Sequence, residues 1–273
     1  MHPVLWEFHG ITFYSYGAFI VLGMASALLV LRSLAKQVGL PDHVPLEITL
    51  VFLVGGFVGA HLLDVIIQWH RYLARPIAAL NIFASHASIG GLILAAFALY
   101  WWARRNRYPV PLIYDITAIA ASLGYAVGRI GCFLAGCCYG RPADVPWAVV
   151  FSDPRCYVAP GLRGVPLHPT QLYSSLASLL IFAVLLRLWK SRAFPLQVSL
   201  VFLVGYALYR FSIELFRGDP ERGRLEALHL SPAQLISVLI LALSLPAYFL
   251  YRRRANSTAS DSSTGPTMTS GLR

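Results

Sequence analysis

The sequence predicts an all-α integral membrane protein that crosses the bilayer about seven times. Of its 273 residues, 57% are hydrophobic and only 12% are charged, and the mean hydropathy is +0.63. A soluble domain carries about 25% charged residues, because its surface must be hydrated. The charges of this chain are also separated by apolar runs about 20 residues long, the length that a helix needs to cross hydrocarbon. These observations exclude a soluble globular fold.

The spans follow from the spacing of the charges. Four runs contain no Asp, Glu, Lys or Arg, namely 8–31, 76–103, 164–186 and 227–251. Three weaker runs carry one or two charges each, namely 48–67, 112–131 and 195–214. Helices are expected because hydrocarbon offers no partner to unpaired backbone groups, and because the runs lack the alternation of a β-barrel. We predict spans near 12–31, 47–67, 77–103, 112–131, 171–189, 195–214 and 231–251.

The orientation follows from the distribution of Lys and Arg. Clusters of these residues occupy the loops on one side of the predicted bundle, at 104–107, 187–192 and 252–254. Positive loops stay in the cytoplasm, so the sequence predicts a cytoplasmic C-terminus and an N-terminus outside. The net charge of +10 is then explained by topology, and we predict the lipid bilayer and no nucleic acid as a partner.

The domain organisation is simple. Residues 1–254 form one polytopic membrane domain, in which the longest hydrophilic segment is an outer loop at 132–170. Residues 255–273 are rich in Ser, Thr and Gly and contain few apolar side chains. Such a composition cannot bury a core, so we predict a disordered cytoplasmic tail.

Ionisable groups within the spans are candidates for function, because each costs at least about 2.5–3.5 kcal/mol to insert. The alternative is that those near the end of a span extend to the headgroups. In the predicted topology, however, most of these polar groups gather toward the outer leaflet, whereas random placement would populate both sides. They are Tyr16, His61, Asp64, His86, Arg129, His168, Arg210 and Glu214.

Two of these groups are arginines that suit a phosphate. Tyr206, Arg210 and Glu214 follow one another at intervals of four residues, so they lie on one stripe of the sixth span. We expect an intrahelical pair between Arg210 and Glu214, which is either structural or holds the guanidinium for a ligand. Arg129 ends the fourth span between two nearby glycines. A planar guanidinium grips phosphate with two parallel hydrogen bonds, so two arginines at one depth predict a phosphate clamp.

The histidines leave alternatives open. His86 comes shortly before Gly90 and Gly91 in the third span, where small residues permit close helix packing. It is either catalytic or a polar contact inside the bundle. His168 opens the fifth span beside Thr170, a residue type that caps helices, so this motif is either part of the site or helix-start chemistry.

The four cysteines all lie on the predicted outer side, where disulfides are permitted. They are Cys132, Cys137, Cys138 and Cys156. Their spacing does not match the common zinc or iron–sulfur patterns, so we predict no metal and expect a disulfide or the packing of small side chains. Motifs typical of zinc proteases, serine hydrolases and P-loop proteins are missing from the sequence.

Short motifs along the chain then resemble one family. In order they are YSYG at 14–17, IGGL at 89–92, GRIGCF at 128–133, HPTQLY at 168–173, the stripe at 206–217 and SPAQ at 231–234. In this order and spacing, the chain resembles the bacterial prolipoprotein diacylglyceryl transferases. The resemblance implies a seven-span enzyme of the cytoplasmic (inner) membrane with its active site facing the outer leaflet. Such an enzyme transfers the diacylglyceryl group of phosphatidylglycerol to the lipobox cysteine of a prolipoprotein signal peptide and releases glycerol 1-phosphate, without a cofactor or metal.

The resemblance also implies roles for individual residues. It assigns phospholipid binding to Arg129 and a second essential role to Arg210. The chain departs from the family pattern at Ile89, where the family usually has a histidine. His86, about one helical turn earlier, and His168 are the candidates to occupy the space of that histidine, and the sequence leaves the proton acceptor open. Catalysis is assigned to Arg129, Arg210, His86 and Tyr16, and phosphatidylglycerol binding to Arg129, Arg210, Tyr206, Glu214, Gly90, Gly91 and His168.

Two other functions are compatible with these residues. One is a transferase of the same fold that uses a different acceptor, or that uses its own Cys137 or Cys138 in a covalent step. The other is a non-catalytic binder or transporter of an anionic lipid. A transporter more often shows repeated halves and polar groups at the midplane, and neither is evident in the sequence.

Overall fold

A computed structural model describes residues 2–74, 77, 88–218 and 230–263. Within these residues the chain forms eight α-helices and four short strands. The helices are α1 (Ser15–Gln37), α2 (Val44–Ile67), α3 (Trp69–Ala74), α4 (Ser88–Arg105), α5 (Val110–Ala135), α6 (Thr170–Ser191), α7 (Gln197–Glu214) and α8 (Pro232–Ser263). The strands are β1 (Val4–Phe8), β2 (Ile11–Tyr14), β3 (Val149–Val150) and β4 (Pro166–Leu167).

The helices confirm a multi-pass membrane protein. Five of them, α1, α2, α5, α6 and α8, are long and apolar enough to cross a bilayer. Helices α4 and α7 overlap the remaining two predicted spans, and residues 78–87 of the third predicted span lie outside the described residues. The count of seven and the orientation of the termini therefore stay predictions. Helix α8 continues to Ser263 and so includes the beginning of the segment for which we predict a disordered tail.

Helix α6 shows the reversed polarity of a helix that faces lipid. Its buried residues are mostly polar and include Gln171, Ser174 and Ser178, while Leu176 and Leu180 are about three-fifths exposed. The buried hydroxyls are hydrogen-bonded to backbone carbonyls. Ser178, for example, donates to the Ser122 carbonyl of α5 at 2.8 Å. Small hydroxyl side chains permit close approach of helices and bond across the interface.

The N-terminal end differs from the predicted start of the first span. We expected the first span to begin near residue 12, but β1 and β2 pair there as an antiparallel hairpin and α1 starts at Ser15. The turn is formed by His9 and Gly10, which both have positive φ, at 46° and 80°. Two such residues match the twist of the flanking strands, and aromatic residues favour a half-exposed strand. The absence of charge hid this hairpin inside an apolar run.

The chain divides into two compact units. The second unit is Met24–Ala120, and the first combines Met1–Gly23 with everything from Ala121 onward. In the second unit, α2 and α4 approach so closely that a Cβ on Gly90 would lie 2.4 Å from the Gly59 carbonyl oxygen. A Cβ on Gly91 would lie 2.5 Å from the carbonyl oxygen of Gly56. The close packing expected from these glycines is confirmed.

In the first unit, α5 and α1 make a similar contact. A Cβ on Gly23 would lie 2.7 Å from the Gly124 carbonyl oxygen, and a Cβ on Gly131 would lie 2.7 Å from the Cβ of Phe19. Helix α7 packs against both α6 and α8. The outer loop between α5 and α6 has its own small core, made by Tyr139, Phe151, Cys156, Val158 and Leu167.

Candidate active site

Arg129 is held by the residue one helical turn before it. Its Nη2 donates to the hydroxyl of Tyr125, and the guanidinium carbon lies 4.6 Å from the centroid of the same ring. A spacing of four residues puts the two side chains on one face of α5, and the negative face of an aromatic ring attracts a guanidinium. Tyr125 therefore positions Arg129 through both its hydroxyl and its ring.

Arg210 and Glu214 form the intrahelical pair that the sequence predicted. The Nη1 of Arg210 lies 2.6 Å from Oε2 of Glu214, and the two side chains are only 14% and 6% exposed. The carboxylate balances a buried positive charge and fixes the plane of the guanidinium. Because an arginine has five N–H donors, this pair uses part of the hydrogen-bonding capacity of Arg210.

Three tyrosines connect the two arginines. The ring of Tyr125 on α5 lies 6.4 Å from that of Tyr206 and 6.3 Å from that of Tyr209, both on α7. The hydroxyl of Tyr206 interacts electrostatically with both Arg129 and Arg210. The structure thus brings four of the predicted site residues together in the first unit, since Glu214 accompanies Arg210.

Sequence reasoning missed Tyr125 and Tyr209. The available signal was their position, one turn before Arg129 and next to Arg210, because a tyrosine inside a span adds a polar group to an apolar segment. The hydroxyl of Tyr209 is buried and interacts with the hydroxyl of Tyr125.

Tyr16 reaches the same cluster from α1. The tight contact at Gly131 packs the first turn of α1 against the last turns of α5, with the Tyr16 carbonyl oxygen 3.3 Å from a Cβ built on Gly131. The Tyr16 hydroxyl interacts electrostatically with Arg129 and with nearby cysteines. The structure therefore places Tyr16 beside Arg129, and its role in catalysis stays a prediction.

Three cysteines surround this end of α5. The Sγ atoms of Cys132, Cys137 and Cys138 all lie within 4.8 Å of one another. All four cysteines are free, so the disulfide expected as one alternative is not present, and Cys156 instead belongs to the core of the outer loop. Hydrogen bonds from the other two thiols, together with the charges of Arg129 and Arg217, lower the pKa of the Cys138 thiol.

The start of α6 holds the cysteine loop in place. Thr170 Oγ1 donates to the Cys138 carbonyl at 2.7 Å, and Gln171 Nε2 donates to the Cys137 carbonyl at 2.8 Å. Our interpretation of Thr170 as an N-cap is wrong, because the capping position is Pro169 and no side chain caps the helix. The hydroxyl is used instead to bind the loop that follows α5.

His168 lies in an aromatic environment. Its Nδ1 is 3.2 Å from the Tyr173 hydroxyl, which also accepts a hydrogen bond from Trp147 Nε1 at 2.6 Å, and its ring centroid is 5.2 Å from that of Phe216. Burial and the nearby Arg141 lower the pKa of His168, so the neutral form is favoured. These contacts order the start of α6, and lipid binding by His168 stays a prediction.

The remaining predicted residues lie elsewhere. His86 is outside the described residues, so its role stays a prediction. Gly90 and Gly91 belong to the second unit, where their observed contacts are with α2, and lipid binding by them also stays a prediction. In the same unit Asp64 accepts hydrogen bonds from Tyr72 and Gln68, each at 2.7 Å.

The apolar helices and the arginine–tyrosine cluster define a multi-pass helical membrane protein with a site suited to an anion. A family model described as prolipoprotein diacylglyceryl transferase matches residues 3–250. The chain is 32% identical over 256 residues to the phosphatidylglycerol–prolipoprotein diacylglyceryl transferase of Clostridium tetani, covering 93% of this chain and 99% of that protein. It is 31% identical over 258 residues to the protein of the same name from Geobacter sulfurreducens, covering 92% and 96%. The chain belongs to the prolipoprotein diacylglyceryl transferase family.

Proposed function

We propose that this chain transfers the diacylglyceryl group of phosphatidylglycerol to the lipobox cysteine of a prolipoprotein signal peptide, releasing glycerol 1-phosphate. The observation that carries the proposal is the joining of Arg129 and Arg210, from different helices, through Tyr206. Two guanidiniums suit a phosphodiester headgroup better than a neutral lipid, because planar donors match phosphate oxygens in pairs. The names of the relatives specify the same lipid and the same class of acceptor.

The arginines contribute at the moment when the phosphate leaves. The acceptor sulfur forms a bond to the glyceryl carbon while the bond from that carbon to the phosphate oxygen breaks, so negative charge develops on the phosphate. Donors already aimed at that charge stabilise the transition state without reorganising. Tyr125 holds Arg129, and Glu214 holds Arg210, so both guanidiniums are fixed before the lipid binds.

The proposal includes a location in the bacterial cytoplasmic membrane. We place residues 1–254 there as seven spans, with the site toward the outer leaflet, the N-terminus outside and residues 255–273 as a cytoplasmic tail. The basic clusters at 104–107, 187–192 and 252–254 support this orientation. The exposed aromatic residues of the hairpin, Trp6 and Phe13, support a position at the depth of the headgroups.

The test is complementation of a bacterial strain depleted of its own transferase, with conversion of a prolipoprotein as the measurement. The wild-type chain should restore conversion, and Arg129→Ala or Arg210→Ala should abolish it. Arg155→Ala is the matched control, because the Arg155 side chain is 56% exposed and its partner Glu7 is 61% exposed. Failure of the well-expressed wild-type chain would contradict the transferase function, and retained activity in both variants would contradict the phosphate clamp.

A further inference from the structure

We propose that Cys132, Cys137 and Cys138 bind one Zn²⁺ ion and that its fourth coordination position takes the acceptor thiol. The Sγ atoms of the three cysteines lie within 4.8 Å of one another. Zinc binds thiolates at about 2.3 Å in a tetrahedron, which separates two ligand sulfurs by about 3.8 Å. The observed triangle therefore needs only a small contraction to close around the ion.

The backbone prepares this arrangement. Cys138 has a φ of 63° and Gly136 a φ of 76°, so the chain turns sharply after α5. Adjacent side chains of an extended strand point to opposite faces, whereas the left-handed residue here lets Cys137 and Cys138 share one site. That conformation is uncommon for a residue with a side chain, and it explains why the spacing in the sequence predicted no metal.

Two side chains of α6 keep the turn in place. Thr170 and Gln171 are almost completely buried, and they bind the carbonyls of Cys138 and Cys137. Cys132 is fixed separately by its position in the last turn of α5. The three sulfurs are therefore supported by two helices, which is the support that a metal site requires if its ligands are to keep their geometry.

The charges around the cysteines are compatible with a bound ion. Three thiolates outweigh the two positive charges of Zn²⁺, so the occupied site is anionic. Arg129 and Arg217 lie close enough to interact with Cys138, and they balance this negative charge. Thiolate sulfur is also a soft ligand, which selects zinc over magnesium or calcium.

Three protein ligands leave the fourth position open, as in catalytic zinc sites. This part of the inference rests on the proposed function. The acceptor thiol binds zinc and loses its proton to solvent, since a coordinated thiol is deprotonated. Its sulfur then bonds to the glyceryl carbon, and the electron pair of the breaking carbon–oxygen bond stays on the phosphate beside Arg129. The product is a neutral thioether, a weaker ligand that leaves the ion.

The zinc content of the full chain tests the site directly. Protein purified in detergent with a phosphine reductant should hold about one zinc per chain, and Cys138→Ser should lose most of it. Cys156→Ser is the matched control, because Cys156 is a free buried cysteine in the core of the outer loop. Wild-type protein with no more zinc than Cys138→Ser would overturn the proposal.

A second measurement needs no variant. Cobalt added to the zinc-depleted wild-type chain should give the near-ultraviolet charge-transfer band of cobalt–thiolate bonds, and a missing band would overturn the site. Conversion of prolipoprotein should fall at least about tenfold on zinc removal and return when zinc is added. Unchanged conversion would overturn the role in thiol activation. Zinc without conversion in any wild-type preparation would contradict the proposed function, while the zinc content would still support the cysteine site.

Discussion

Glu214 is the residue that makes a buried guanidinium possible at position 210. The pair is almost enclosed, and removing one partner of a buried ion pair costs about 3–5 kcal/mol because the other charge loses its compensation. We therefore expect Glu214→Ala to lower both the thermal unfolding midpoint in detergent and the conversion of prolipoprotein. Asp153→Ala is the control, since its pair with the exposed Arg155 should contribute less than about 1 kcal/mol. Equal midpoints for both variants would show that Arg210 does not depend on Glu214.

The hydroxyl of Tyr125 should matter separately from its ring. Tyr125→Phe keeps the aromatic face under Arg129 but removes the acceptor of the Nη2 hydrogen bond. A hydrogen bond to a charged group contributes about 1.5–3 kcal/mol, so conversion should fall by about tenfold or more. The measurement is the rate of conversion at fixed expression.

The control for this variant lies on the same helix. Tyr114→Phe removes a hydroxyl that donates to the Ala96 carbonyl at 2.7 Å, about four helical turns before Arg129 on α5. It should affect stability more than the conversion rate. If Tyr125→Phe converts prolipoprotein as fast as Tyr114→Phe, the hydroxyl does not position the guanidinium.

At the scale of elements, the contact between α1 and α5 sets the place of Tyr16. A Cβ on Gly131 would lie 2.7 Å from that of Phe19, whereas a Cβ on Gly128 would meet its nearest neighbour, Ile20, at an ordinary 3.6 Å. Gly131→Ala should push α1 away and reduce conversion. Gly128→Ala should be tolerated, and it should raise the unfolding midpoint because alanine favours a helix by about 1 kcal/mol. Two variants with the same conversion rate would refute this account of the interface.

The elements also show which features the sequence could predict. Long helices were predictable because a run without charges can be counted, and the pair of Arg210 and Glu214 was predictable because both belong to one helix. The hairpin before Ser15 was not, since its residues are as apolar as those of a span. Local periodicity cannot distinguish a short exposed strand from the beginning of a membrane helix.

In the candidate site, too, contacts within one helix could be predicted from the sequence and contacts between helices could not. The stripe on α7 follows from a spacing of four residues, but the contact of Tyr125 with Tyr206 and Tyr209 joins different helices. The cysteine triangle depends on the left-handed backbone of Cys138. Contacts of this kind arise from tertiary packing, so the spacing of residues along the chain does not contain them.

At the scale of the whole molecule, the site residues indicate one side of the membrane. Tyr16 lies in the first turn of α1, while Arg129 and Arg210 lie near the ends of α5 and α7. In a chain that alternates direction, the start of the first span and the ends of the fourth and sixth all reach the same leaflet. In the predicted topology the basic loops fall on the opposite side, and such loops stay in the cytoplasm. This arrangement supports our proposal that the arginine–tyrosine cluster lies toward the outer leaflet.

Reporter fusions test that orientation for the complete chain. Alkaline phosphatase, which is active only outside the cytoplasm, should be active when fused after Asp144 and inactive when fused after Asn106 or Arg254. Green fluorescent protein should give the reverse pattern, because the basic residues at 104–107 and 252–254 anchor their loops inside. Neutral replacement of Arg252, Arg253 and Arg254 should weaken this preference without changing the helices. Phosphatase activity after Arg254 together with none after Asp144 would reverse the topology and move the phosphate clamp to the inner leaflet.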